Sequence, residues 1–114
     1  MRNPVMYLKD ILEALEAIEN FVEGIDFKTF KNDDMRSSAV IRKFEIIGEA
    51  TKNVPESIKQ KYPQIPWKDM TGMRDRLIHF YFGVKYDLVW NAIKADIPRI
   101  KPLINKILEE LKEE

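Results

Sequence analysis

The chain contains no cysteine and only one histidine in 114 residues. The first absence excludes disulfides, thiolate nucleophiles and cysteine zinc sites; the second excludes any site needing two histidines within one chain. The net charge is zero, so no overall field marks a nucleic-acid binder. No apolar run approaches the ~20 residues of a membrane span, and no charged-then-apolar leader precedes a small-residue cleavage site. A cytoplasmic protein is expected.

With 45% apolar and 33% charged residues, the composition is that of a folded globular chain. The length fits a single domain over residues 1–114, which would bury roughly two-thirds of its unfolded surface without metal or disulfide support. The charge is unevenly distributed. Residues 1–27 carry two basic and six acidic side chains, residues 28–43 five basic and two acidic, and residues 59–76 again five and two. Each basic excess is either chance along charged helix faces or a local surface suited to an anionic partner.

The apolar spacing is helical almost throughout. Asn3 and Pro4 read as cap and first turn of a helix whose stripe is Val5, Leu8, Ile11, Leu12, Leu15, Ile18 and Val22, ending near Gly24. Phe27 and Phe30 follow in a connector pinned to the core. Asp33 or Asp34 caps a second helix with Val40, Phe44, Ile47, Thr51 and Val54 inward. Gly48 within it costs about 1 kcal/mol against alanine, which predicts a close helix approach or a functional contact. A short helix runs from Pro55 to Tyr62, and Pro63 and Pro66 bracket a loop. A third long helix is expected from Trp67 to near Gly83. A fourth, capped by Asp87, carries Val89, Trp90, Ile93 and Ile97, is kinked or restarted at Pro98, and continues through Ile100, Leu103, Ile104, Ile107 and Leu111. The expected fold is all-α, an antiparallel up-and-down bundle of four main helices plus a short one.

On the third helix, Met70, Met73, Leu77, Ile78 and Tyr81 fall in one apolar sector that also holds Arg74. A buried guanidinium requires a partner, so Arg74 snorkels, pairs with a carboxylate, or faces a second subunit and a ligand. His79 lies about 140° from Arg74 on an ideal helix, and shares a side with Asp75 at i and i+4, where a carboxylate could orient the imidazole. Arg74 and His79 therefore converge only if the helix loosens before Gly83 or if two copies of it meet at a two-fold axis.

The run Gly72-Met73-Arg74-Asp75-Arg76-Leu77-Ile78-His79-Phe80-Tyr81-Phe82-Gly83 resembles the arginine, four residues, histidine, one residue, tyrosine motif of the HepT-like branch of HEPN ribonucleases. The blocks Phe44–Ala50 and Tyr86–Trp90, and the Pro66-Trp67 approach, resemble that branch too, so the likeness spans nearly the whole chain. The position after the histidine, acidic in many relatives, is Phe80. The resemblance implies a HEPN-like homodimer acting as the toxin of a type VII HEPN/MNT toxin–antitoxin system, cutting RNA without a metal or other cofactor. It implies Arg74 and His79 as catalytic residues and Asp75 and Tyr81 as auxiliary ones. Its usual partner is an MntA-like nucleotidyltransferase antitoxin that silences the toxin by transferring AMP to Tyr81.

The residue inventory suits that chemistry. RNA brings its own nucleophile, the 2′-hydroxyl; a histidine can move the proton and an arginine fork can hold the phosphate. The expected products carry a 2′,3′-cyclic phosphate and a 5′-hydroxyl. The alternative is a non-catalytic module that binds nucleotides or docks a nucleotidyltransferase. Glu45 and Glu49 form an i,i+4 pair, a thin ligand set for a metal enzyme, and are expected instead to pair Arg42, Lys52 or a basic side chain of a neighbouring helix.

Overall fold

The structure is a computed structural model. It describes residues 3–79 and 83–112, apart from the side chains of Arg74, Arg76, Ile78 and His79. Within these bounds the chain forms an all-α bundle: α1 (Pro4–Phe21), α2 (Phe27–Asn32), α3 (Asp34–Lys52), α4 (Glu56–Lys61), α5 (Trp67–Thr71), α6 (Met73–Leu77), α7 (Tyr86–Asn91) and α8 (Ile97–Lys112). Between α6 and α7 stands a two-stranded ladder, β1 (Ile78–His79) and β2 (Gly83–Val84).

Local chemistry accounts for the helix starts. The Asn3 side chain accepts from the Val5 N–H at 2.9 Å, with Pro4 opening α1. Asp26 caps α2 through the Thr29 N–H at 2.8 Å. That bond and its side-chain counterpart to Thr29 hold the Asp26 carboxyl below its ordinary range. Asp33 caps α3 through the Arg36 N–H at 3.0 Å, as one of the two expected caps.

α1 and α3 pack together, α8 lies on α1, and α5 and α6 lie on α3. The core between them holds Leu8, Ile11, Leu15 and Ile18 from α1, Val40, Phe44 and Ile47 from α3, and Ile97, Ile100, Ile104 and Ile107 from α8. Burying each such side chain contributes about 1.5–3 kcal/mol. Phe30 is fully buried, and its ring meets Trp90 at 5.3 Å and Tyr86 at 6.4 Å. Lys101 of α8 reaches Glu19 of α1 at 2.7 Å. Tyr62 donates its hydroxyl to Glu110 at 2.5 Å, fixing the end of α8 to the segment after α4.

Gly48 does what its cost suggested. A Cβ there would lie 3.2 Å from the Thr71 carbonyl oxygen and 3.6 Å from that of Met70, so the absence of a side chain lets α3 and α5 approach.

The C-terminal helical run differs from expectation at both ends of its first half. The residue at the start of α7 is Lys85, which makes no side-chain cap bond, and Asp87 sits inside the first turn. The turn over Ala92–Asp96 is π-helical, with the Ile97 N–H donating to the Ala92 carbonyl five residues back. Pro98 follows and has no N–H to give Lys94, so the wider turn accommodates a bond the chain cannot make. It also keeps Val89, Ile93 and Ile97 all buried. Eight residues of regular α-helix would drift about 80° off one face.

Candidate active site

The expected third long helix is the element that the structure changes most. α5 stops at Thr71, where the Gly72 N–H bonds the Lys68 carbonyl at 3.1 Å. α6 then runs only from Met73 to Leu77 before the backbone becomes extended. Ile78 pairs with Val84 and His79 with Gly83 in an antiparallel ladder, and the Lys85 N–H bonds the Leu77 carbonyl at 3.0 Å. Gly83 has φ +84°, a backbone that side-chain-bearing residues rarely adopt. Ile78 is β-branched, a residue type that suits extended backbone once such a turn is provided.

Each piece is anchored. Trp67 is nearly buried and donates its indole N–H to the Tyr62 carbonyl at 3.0 Å, which fixes the start of α5. Met70, Met73 and Leu77 are buried, so α5 and α6 are held on α3 by the stripe the sequence suggested. α6 also contacts α7, whose Tyr86 is set edge-on against Phe30.

Arg74 is thereby the second residue of α6 and His79 the second residue of β1. The helix ends between them, so the 140° offset of a continuous helix does not apply. The helix thus loosens before Gly83, the first of the two expected alternatives. The same break removes the helical i,i+4 relation expected between Asp75 and His79; Asp75 is exposed on α6, and His79 belongs to the ladder. The Arg74 and His79 side chains, and the whole of Tyr81, lie outside the described residues.

Glu45 and Glu49 line a groove of about 310 Å³ between α1 and α3, together with Asp10 and Arg42. Arg42, one of the cations expected near these glutamates, thus shares their surface. Among the described residues there is no group of three or more histidine, cysteine or acidic side chains that could hold a metal. Sequence reasoning missed the ladder, the Lys85–Leu77 bond that closes it, and the role of Trp67 as an anchor. Gly83 is the available signal: it serves as the left-handed residue of a turn and not as a helix end.

Comparison with known proteins decides the family. Residues 11–107 match the ribonuclease HepT-like family. The chain belongs to the HepT-like ribonuclease family. Membership makes it an enzyme of the ribonuclease class. A candidate RNase of Methanocaldococcus jannaschii is 48% identical over 107 residues, covering 94% of this chain and 92% of the relative. A candidate ribonuclease HepT of Thermococcus cleftensis is 50% identical over 101 residues, 89% of this chain and 92% of its own length. A candidate RNase of Caldanaerobacter subterraneus subsp. tengcongensis is 42% identical over 112 residues, 98% of this chain and 100% of the relative. No solved structure matches the chain. Among the described residues of this HepT-like chain, no helix is long and apolar enough to cross a membrane.

Proposed function

We propose that this HepT-like protein is a metal-independent endoribonuclease toxin, acting as a single domain over residues 1–114 and as a homodimer in the cytoplasm. The observation that carries the reading is the helix-to-ladder switch inside the Arg74…His79 segment. It presents the two motif positions on different backbone elements, α6 seated on α3 through Met73 and Leu77, and β1 continuing directly from it. Family membership supplies the substrate, RNA.

In the proposed reaction the ribose 2′-hydroxyl attacks the neighbouring phosphorus while one histidine takes its proton. The P–O5′ bond breaks, and the departing 5′-oxygen receives a proton from an imidazolium. Products are a 2′,3′-cyclic phosphate and a 5′-hydroxyl. The Arg74 guanidinium holds the phosphate oxygens and stabilises the charge that accumulates in the transition state. With one histidine per chain, a two-fold dimer supplies His79 twice, one as base and the other as acid.

The partner we assign is an MntA-like nucleotidyltransferase antitoxin of a type VII HEPN/MNT system, transferring AMP from ATP to the Tyr81 hydroxyl with release of pyrophosphate. The added bulk and negative charge would sit in the motif itself and repel the RNA phosphate. Asp75 and Tyr81 are auxiliary to the cut.

The deciding experiment is cleavage of a labelled RNA in EDTA by the purified protein. The reading requires cyclic-phosphate ends, and loss of cleavage in both Arg74→Ala and His79→Ala. Retained binding with no cutting by the parent protein would instead make it the nucleotide-binding or nucleotidyltransferase-docking module.

A further inference from the structure

Two stretches of the sequence carry five basic residues against two acidic, and the fold treats them differently. In residues 28–43 the excess is dispersed: Arg36 lies 3.7 Å from Asp33, and Arg42 shares its groove with Asp10, Glu45 and Glu49. In residues 59–76 two of the five come together. Lys59 on α4 and Lys68 on α5 line one groove of about 290 Å³, along with Glu56, Gln60, Trp67 and Thr71. Neither lysine is held in an ion pair among the described residues. Two cations against one carboxylate leave the groove positive.

The groove is rigidly built. Its two helices are joined by 62–66, which contains Pro63 and Pro66 and closes on itself through Ile65 N–H to the Tyr62 carbonyl at 3.2 Å and Trp67 N–H to the Ile65 carbonyl at 2.8 Å. The Trp67 indole is tied to the Tyr62 carbonyl, and the Thr71 hydroxyl donates to the Trp67 carbonyl at 3.0 Å. Thr71 is the last residue of α5, and α6 with Arg74 begins two residues later. The last residue lining the groove, Thr71, thus stands three residues ahead of Arg74 in the chain.

The geometry points to this groove as a phosphate track: Lys59 and Lys68 hold the backbone of the single-stranded RNA flanking the cut and lead it along α5 to Arg74. The ligand class rests on the ribonuclease reading. Phosphates held by flexible ammonium groups give affinity without base preference, so the track adds length dependence and salt dependence rather than sequence choice. Each phosphate contact on a single strand contributes a slope of ~0.7 in log affinity against log salt, so both lysines together contribute ~1.4 and roughly 25-fold in affinity near 0.1 M salt.

The test is binding of a fluorescent 2′-O-methyl RNA oligonucleotide, which lacks the nucleophile and cannot be cut, measured by anisotropy across a salt series. The parent is compared with Lys59→Gln/Lys68→Gln, which keeps most of each side chain's length, and with Lys106→Gln/Lys112→Gln, which removes the same charge from α8. Circular dichroism and thermal melts confirm folding. The proposal expects the groove variant to lose about 25-fold in affinity near 0.1 M salt and to flatten the salt slope by ~1.4, with the α8 variant far less affected. Equal losses in the two variants, an unchanged slope in the groove variant, or no RNA binding by the parent would overturn it. Cleavage of unmodified RNA, assayed separately, reports on the nuclease reading, so either can fail without the other.

Discussion

The backbone of Gly48 faces the Thr71 carbonyl so closely that a β-carbon on Gly48 would stand 3.2 Å from that oxygen. The contact joins the middle of α3 to the last residue of α5, immediately ahead of the α6 segment that carries Arg74. In Gly48→Ala, the gain in helix propensity of about 1 kcal/mol offsets the crowding, leaving net stability within ~1 kcal/mol of the parent. The small shift forced on Thr71 reaches α6, so RNA cleavage falls more than stability does. Gly48→Leu cannot be accommodated and lowers the melting temperature clearly. A Gly48→Leu protein that melts with the parent would show that the close approach is not needed.

Removing either motif group should act on rate and not on folding. Arg74→Ala and His79→Ala each lower the cleavage rate, the histidine by ~10²–10⁴-fold as befits a lost general acid–base. Melting temperatures stay near that of the parent, because α6 is anchored by Met73 and Leu77. Mixed dimers with one His79→Ala subunit check the division of labour; full activity per remaining site would rule out one histidine acting as base and the other as acid.

Tyr81→Phe removes the hydroxyl that would accept AMP. Mass spectrometry after incubation with ATP and the cognate antitoxin should show AMP on the parent and none on the variant, and the antitoxin should no longer silence cleavage. Modification of the Tyr81→Phe protein at another residue, with silencing intact, would move the acceptor elsewhere.

The Asp26 cap gives a stability effect with a definite sign. Its carboxyl is held below the ordinary value of 3.8 by the Thr29 backbone N–H, so its contribution to stability is fully present above pH 3.8 and is lost as pH falls through the lower folded value. Asp26→Ala should therefore melt below the parent at neutral pH, and the two melting temperatures should converge in strong acid. A constant gap across that range would contradict the cap's assignment.

Much of the bundle can be read from local chemistry and spacing. Asn3 and Asp33 cap as their residue types suggest, and the stripes of α1, α3 and α8 are the stripes of the core. The break after Leu77 is harder to see. Met70, Met73 and Leu77 satisfy a helical period whether or not the helix continues, and over so short a run an apolar segment fits helix and strand alike. What separates them is Gly83, whose left-handed backbone lets residues 83 and 84 return against 79 and 78. The Asp87 cap failed for a related reason: the Lys85 N–H is already engaged with Leu77, so the chain enters α7 directly from the ladder. The residues of the proposed site are legible as a motif, while the backbone that separates them is set by tertiary pairing.

The π-helical turn at Ala92–Asp96 also makes this part of the chain unforgiving of added length. Inserting one further residue there, where the turn already holds one more than ordinary α-helix, would swing everything downstream by about 100°. Ile97, Ile100, Ile104 and Ile107 would leave the interior together, and Lys101 would rotate away from Glu19. An insertion between Trp90 and Pro98 is thus a change of phase that would unseat α8, whereas a single deletion lets the turn close as ordinary α-helix and leaves α8 in place.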